Sequence, residues 1–164
     1  MSEQVVPDPL EFARGHKCLE GDIELIRLKR LQESLTSFDG AVHFKLTGFV
    51  NEGAAPGLRC EVGGSLKLLC QRCLEPMDYP LQIDSSMLLV SEAQALLDED
   101  DPDAPDCIPI QRDMQVVALV EDEILLALPM APHHAEDVCK GRPAADTGKL
   151  HPFAALARLK TNKE

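Results

Sequence analysis

Three long runs in which apolar and polar residues alternate constrain the fold more than any other feature of the sequence. They cover residues 42–51, 58–71 and 77–89. Successive side chains of a strand point to opposite faces, so strict alternation predicts strands with one buried and one solvated face. Half-buried strands are typical of antiparallel sheets, and the short connections between the runs predict a meander of three long strands.

Two short features predict local irregularities in this sheet. The pair Gly63-Gly64 predicts a bulge, because a glycine inside a strand often accompanies one. Pro80 has no N–H to donate to a neighbouring strand. It therefore predicts that one side of its strand is unpaired, as at the edge of a sheet.

The segments on either side of these runs predict helices. Residues 9–14 are compatible with one helical turn, residues 21–25 with a short extended piece, and residues 26–35 carry leucines at helical spacing. Residues 115–128 have an apolar stripe opposite an acidic, solvated side, and Pro129 ends the pattern. The stripe consists of Val117, Val120, Ile124 and Leu128, and the acidic side of Glu121, Asp122 and Glu123.

The remaining segments complete the predicted architecture. Residues 107–110 predict a short strand, residues 130–150 an irregular segment, and residues 152–160 a short C-terminal helix. The expected fold class is α+β. It consists of an antiparallel β-meander of three long strands plus short strands, with one or two helices packed on one face and a short C-terminal helix.

Length and charge limit the classes of protein that the chain can belong to. A length of 164 residues predicts a single domain over residues 1–164. There are 28 acidic and 16 basic residues, a net charge of −12. This balance excludes a uniformly basic nucleic-acid-binding domain, whose affinity comes from neutralising phosphates. Residues 98–106 contain six of the acids and predict a solvated loop, which leaves the rest of the chain only mildly acidic.

The sequence also predicts a compartment. No apolar run approaches the roughly 18 residues of a membrane span, and the N-terminus shows no basic and then apolar leader pattern. We therefore expect a soluble, cytoplasmic protein without a membrane partner. In a reducing cytoplasm its six cysteines are expected to be thiols or metal ligands.

The most specific local motif is Cys70-Gln-Arg-Cys73, which lies between two predicted strands and therefore at the tip of a hairpin. Two cysteines so placed can supply half of the ligands of a tetrahedral zinc ion. Cys139, with His134 or His133 just before it, is a candidate for the other half. The predicted metal ligands are Cys70, Cys73, His134 and Cys139, and the predicted cofactor is zinc.

A second interpretation of the cysteine pair stays open. Cys70 lies on the buried side of its strand and is equally compatible with a small core side chain. The same holds for Cys18, Cys60 and Cys107. A redox-active pair is disfavoured, because the thioredoxin-like motif lies at the start of a helix in a βαβ unit and not between antiparallel strands.

The sequence contains no recognisable catalytic motif. His133 and His134 lack an obvious nucleophile partner, Gly63-Gly-Ser65 is not the nucleophile elbow of a hydrolase, and no phosphate-binding glycine motif occurs. The three acids at 121–123 point in different directions on a helix and do not converge on an ion. We therefore expect a protein that is not an enzyme and has no small-molecule substrate.

A few basic residues are candidates for contact with RNA or a partner protein. Arg72 lies at the predicted hairpin tip, and Arg158 and Lys160 lie in the predicted C-terminal helix. If these side chains share one face, they can bind phosphates. If they are dispersed, they are ordinary solubilising charges. The sequence leaves both alternatives open.

Four segments, in this order, resemble the YceD family. They are Cys-Gln-Arg-Cys-Leu-Glu-Pro at 70–76, Val-Glu-Asp-Glu-Ile-Leu-Leu-Ala-Leu-Pro at 120–129, Pro132-x-His134 with Cys139, and Pro-Phe-Ala-Ala-Leu-Ala-Arg-Leu-Lys at 152–160. The resemblance covers residues 58–160. It implies a bacterial cytoplasmic protein, with relatives in plastids, that is needed for normal accumulation of 23S ribosomal RNA.

The resemblance also bears on the metal site and on partners. Many relatives carry several cysteines where residues 139–147 of this chain contain only one, which implies a four-thiolate site in those relatives. For this chain the resemblance implies either a zinc site with one histidine or the relic of an ancestral site. The implied function is non-enzymatic support of large-subunit assembly. A ribosomal protein or an assembly intermediate is the expected partner, because the acidic chain attracts basic proteins. Direct binding of ribosomal RNA, and a zinc-knuckle module with an unrelated protein partner, are the alternatives.

Overall fold

The computed structural model describes residues 4–95, 106–135 and 138–139. Its elements, in chain order, are β1 (Val5–Val6), α1 (Pro9–Arg14), β2 (Cys18–Glu24), two 3₁₀ turns (Leu25–Arg27 and Leu31–Ser34), β3 (Ala41–Val50), β4 (Pro56–Leu69), β5 (Pro76–Val90), α2 (Glu92–Ala95), β6 (Cys107–Pro109), β7 (Met114–Gln115) and α3 (Val116–Ala127). The predicted helix at 152–160, most of the predicted loop at 98–106 and most of the segment at 130–150 lie outside the described residues.

The main sheet confirms the predicted meander. Its strand order is β2-β3-β4-β5-β6, with antiparallel pairing from β2 to β5 and a parallel pairing of β6 with β5. β1 and β7 form a separate two-stranded antiparallel pair. The architecture is therefore α+β, as the alternating runs and the helical segments predict.

The predicted bulge at Gly63-Gly64 is wrong. Gly63 pairs with Gln82 and Gly64 with Leu81, so the register with β5 continues without a break across both glycines, while the pairing with β3 ends where Gly63 faces His43. The space around Gly64 gives a different reason for a glycine, because a Cβ built there would lie 3.1 Å from a side-chain carbon of Val42. Close packing, rather than an inserted residue, accounts for Gly64.

The edge predicted from Pro80 is confirmed. β6 pairs with β5 only at Leu88–Val90. Within the described residues, β5 has no neighbour on that side from Pro76 to Met87. A proline is tolerated there because, among the described residues, no neighbouring strand needs a hydrogen bond from the N–H that proline lacks.

One face of the sheet carries the core, and helices and turns cover it. The stripe of α3 that packs inward consists of Val116, Val120 and Ile124, all fully buried, and they lie among core side chains from β3, β4 and β5. α1 packs against β3 and β4 through Phe12 and Ala13. The described helices include none that is long and apolar enough to cross a membrane.

The helix predicted over residues 26–35 forms as two separate 3₁₀ turns instead. Leu25, Leu28 and Leu31 are all buried, whereas Ile26 is largely exposed. Leu25 and Leu31 each begin a 3₁₀ turn and Leu28 caps the first, so the three leucines reach the core from two short turns and not from one continuous helical face. The α-helical periodicity was the wrong interpretation of this apolar pattern.

The prediction that Glu121 lies on the solvated side of its helix is also wrong. Its side chain is 8% exposed, and one carboxylate oxygen accepts the backbone N–H groups of Arg30 at 2.7 Å and Leu31 at 3.1 Å. The other oxygen accepts from Nε of Arg30 at 3.0 Å. Glu121 therefore caps the second 3₁₀ turn from another element, which satisfies N–H groups that the turn itself leaves without partners.

The opposite face of the sheet is polar, and its bases are paired with acids. Three cross-strand ion pairs lie on it: Lys45 with Glu61, Arg59 with Asp84, and Lys67 with Asp78. The two hydrogen bonds from Arg59 hold the pKa of Asp84 below its ordinary value. These pairs are exposed and add little to stability, but they leave few free cations on this face.

The Glu121 cap predicts a large effect of one substitution on stability. Glu121→Ala should lower the free energy of unfolding by about 2–4 kcal/mol, because two backbone N–H groups and a guanidinium N–H lose a buried acceptor. Urea unfolding followed by circular dichroism measures the change. Asp122→Ala is the matched control, since Asp122 pairs with the same arginine in an exposed position. Equal losses in the two variants would contradict the assigned role.

Candidate metal centre

The connection between β4 and β5 places two cysteines at one end of the sheet. It comprises residues 70–75, and two backbone hydrogen bonds close it, from Cys70 N to Glu75 O at 3.0 Å and from Leu74 N to Cys70 O at 2.9 Å. Leu74 has a positive φ of 60°, which turns the chain sharply into β5. This arrangement confirms the predicted hairpin tip.

The segment after α3 lies against the hairpin tip. The backbone N–H of Gln71 donates to the carbonyl of Pro132 at 2.8 Å. Two residues further on, His134 lies next to the cysteines. The N–H groups of Val138 and Cys139 both donate to the carbonyl of Ala135, at 3.1 and 3.0 Å, so the chain turns back toward the tip.

These contacts bring all four predicted ligands together. The ligand atoms of Cys70, Cys73, His134 and Cys139 lie within 4.8 Å of one another. Sγ of Cys70 is 3.9 Å from Sγ of Cys139, and Sγ of Cys73 is 3.4 Å from Nδ1 of His134. This cluster could hold a metal ion.

The two distances are compatible with tetrahedral coordination of a zinc ion. Zinc lies about 2.3 Å from thiolate sulfur and about 2.0 Å from imidazole nitrogen. Tetrahedral geometry then separates two sulfur ligands by about 3.8 Å, and a sulfur from a nitrogen by about 3.5 Å. The two separations observed in the cluster agree with these values. Three soft sulfurs and one imidazole are also a donor set that suits zinc better than the hard cations Mg²⁺ and Ca²⁺.

The electrostatics around the sulfur atoms favour one thiolate before any ion binds. Burial raises the pKa of the Cys70 thiol, but backbone N–H groups of Cys73, His134 and Arg72 donate to its sulfur and lower the pKa to about 5. Burial and the neighbouring thiols of Cys70 and Cys139 raise the pKa of Cys73. A bound cation would favour the charged form of all three cysteines, because the thiolate is the form that binds metal.

The surroundings of Cys70 bear on the alternative that it is a core side chain. Cys70 is fully buried, yet it lies outside the contiguous apolar cluster that includes Cys60. Its sulfur contacts Sγ of Cys139 and accepts backbone N–H groups of Cys73, His134 and Arg72. Cys60 is the core cysteine that the sequence predicts, whereas Cys18 is exposed, contrary to that prediction, and Cys107 is partly buried.

The side chains of the other candidate residues are not part of this cluster. His133 is exposed and directs Nδ1 toward the carbonyl of His134 at 3.2 Å. Arg72 is exposed at the hairpin tip. Arg158 and Lys160 lie outside the described residues, so no shared basic face can be assigned. Sequence reasoning missed the contact between Gln71 and Pro132 because a backbone hydrogen bond leaves no side-chain signature.

The chain is similar in sequence to known proteins over the part that contains the cluster. The family model described as Large ribosomal RNA subunit accumulation protein YceD matches residues 58–160, which include the whole cluster. A protein of that description from Haemophilus influenzae is 27% identical over 164 residues, which cover 93% of this chain and 93% of the relative. No solved structure matches the chain.

The cluster predicts a defined cobalt complex. Addition of Co²⁺ to the reduced, metal-free protein should give one ion per chain, with thiolate-to-cobalt charge-transfer bands and the strong d–d bands of a tetrahedral site. Cys73→Ser should weaken binding and change the charge-transfer intensity. His133→Ala, next to a ligand but outside the cluster, should leave the spectrum unchanged. The weak spectrum of octahedral cobalt would contradict the site.

Proposed function

Because the chain belongs to the YceD family, we propose that it supports the accumulation of large-subunit ribosomal RNA without catalysing a reaction. The proposed RNA is 23S ribosomal RNA, and the proposed place of action is the cytoplasm. The observation that carries this proposal is the family match together with a relative of the same description that aligns along nearly the whole chain. We further propose that residues 1–164 act as one domain.

The proposed role of the cysteine cluster is structural. Four protein ligands would complete the coordination shell of a zinc ion and leave no position for a reactive water, which is how structural zinc sites differ from catalytic ones. Zinc bound by Cys70, Cys73, His134 and Cys139 would fasten the hairpin tip to the segment after α3. The donor distances in the cluster support zinc as the cofactor.

The proposed partner is a basic ribosomal protein or an assembly intermediate that contains one. The chain has a net charge of −12, and opposite charges speed and orient association. On the open face of the sheet, Lys45, Arg59 and Lys67 already pair with acids, so this face offers phosphates little attraction. The second proposed mechanism is direct binding of ribosomal RNA through Arg72 at the hairpin tip.

A zinc-knuckle module with an unrelated partner is the weaker alternative. A knuckle alone would account for residues 70–76 and 132–139, but the family match extends well beyond both. The family description therefore favours a role tied to the large ribosomal subunit.

Deletion of the gene tests the proposed function most directly. We expect fewer 50S particles in a sucrose gradient and less 23S ribosomal RNA, measured against 16S RNA from the same cells. A plasmid copy of the wild-type chain should restore both. Normal particles and normal RNA levels in the deletion strain would refute the proposal.

Affinity capture separates the two mechanisms of partner binding. Tagged protein is recovered from lysate with and without nuclease, and bound proteins are identified by mass spectrometry. If the partner is a protein, we expect the same ribosomal protein in both samples, because its contact does not pass through RNA. Loss of every ribosomal protein after nuclease would favour direct RNA binding instead.

A further inference from the structure

The free edge of β5 lies beside a groove that no element of the described structure fills. Within the described residues, no strand pairs with β5 on the side of β6 before Leu88. A groove of about 410 Å³ runs between this edge and α3. Its lining is mainly apolar and consists of Ile83, Met87, Ile108, Leu126 and Ala127, together with polar residues at its rim.

The pairing with β6 shows which backbone groups of β5 face the free side. Leu88 donates its N–H to the carbonyl of Asp106 at 2.7 Å, and Val90 accepts from the N–H of Ile110 at 2.9 Å. Backbone direction alternates along a strand, so the even-numbered residues before them face the same way. Gln82, Asp84 and Ser86 therefore present N–H and C=O groups at this edge.

A proline protects only one end of the free β5 edge. Natural sheets protect free edges with prolines, charges or covering elements, because an unpaired edge is a template for a further strand. Pro80 blocks the edge toward the hairpin tip. From residue 82 to residue 86 the chain has no proline, and the groove beneath offers apolar contacts to a strand placed there.

The rim of the groove indicates the charge of an occupant. Asp106 and Glu123 line it, and neither carboxylate has a hydrogen-bond or ion-pair partner among the described residues. In contrast, the acids on the open sheet face at 61, 78 and 84 each pair with a base. Two unpaired carboxylates repel phosphate and attract lysine or arginine, which disfavours RNA and favours a basic protein segment.

Leu126 adds a further reason to expect a partner here. Its side chain is 82% exposed although it is a large apolar residue, and it stands on α3 at the wall of the groove. A strand added to β5 would direct every second side chain into the groove, toward Leu126 and Met87. The chemistry of the groove therefore suits alternating apolar and basic residues.

We propose that the β5 edge at residues 82–86 and the groove between β5 and α3 bind an extended, basic segment of a partner protein, which adds to the sheet as a further strand. Backbone hydrogen bonds to Gln82, Asp84 and Ser86 would hold the segment, and Asp106 and Glu123 would select for positive charge. The inference rests on the proposed function only in identifying the large-subunit partner as the source of such a segment.

The test uses a synthetic peptide in which lysine and valine alternate, added to the full-length protein. We expect saturable binding by isothermal titration calorimetry. The amide protons of Gln82, Asp84 and Ser86 should become protected from hydrogen exchange in the complex. A peptide of the same composition, with the lysines and valines in separate blocks, has the same charge but cannot place valines on one face, so it should bind about tenfold more weakly.

Two matched pairs of variants distinguish binding at the β5 edge from nonspecific electrostatic attraction to an acidic protein. Ser86→Pro removes an N–H on the free side and should weaken binding about tenfold, whereas Ser86→Ala keeps the N–H and should bind normally. Pro80, at the same parity of the same strand, shows that a proline can be accommodated there. Glu123→Lys should weaken binding by at least as much, whereas Glu20→Lys, which changes the net charge equally on the distant strand β2, should not.

Several outcomes would overturn the inference. Equal binding of the two peptides, or equal losses in the two lysine variants, would show nonspecific attraction to an acidic protein. Edge amides that are already protected in the free protein would show that the edge is not available to a partner strand. The gradient of the deletion strain tests the proposed function without any peptide, so failure of one proposal is distinguishable from failure of the other.

Discussion

The unbroken register of β4 is the constraint on which the rest of the molecule depends. β4 pairs with β5 from Gly57 to Leu69, and its first half, from Pro56 to Gly63, also pairs with β3. A slip of one residue would exchange its buried and exposed side chains, so Leu58, Val62 and Leu66 would leave the core. The same register sets where β4 ends, and therefore where Cys70 starts the hairpin tip. The position of the metal cluster follows from core packing.

Sequence reasoning succeeded where one local pattern determines one structure. Alternation over 42–51, 58–71 and 77–89 predicts the three long strands, since a half-buried strand is the ordinary outcome of that period. The cysteine motif between two strands predicts the hairpin tip. Cysteine and histidine spacing even predicts which four side chains come together, because few residue types bind zinc.

The misses share a different cause, because each depends on contacts between residues far apart in sequence. Nothing near Glu121 indicates that its carboxylate will cap a turn about ninety residues earlier, at Arg30 and Leu31. The leucines at 28, 31 and 35 have the spacing of an α-helix, but the chain forms two 3₁₀ turns there, which depends on the surface that they cover. The free edge of β5 depends on how far β6 extends, which no period in the sequence reports.

The two cysteines of the hairpin tip and the two ligands after α3 come from distant parts of the chain, so an ion bound by all four would affect folding. Cys73 and His134 are 61 residues apart, and β5, α2, β6, β7 and α3 lie between them. An ion bound by both would connect the two ends of this stretch in the folded protein. A site assembled from such distant residues rarely exists in the unfolded chain, which would release the ion. The binding free energy of the ion would therefore add to the free energy of unfolding, and its supply in the cell would set how long this half of the protein survives proteolysis.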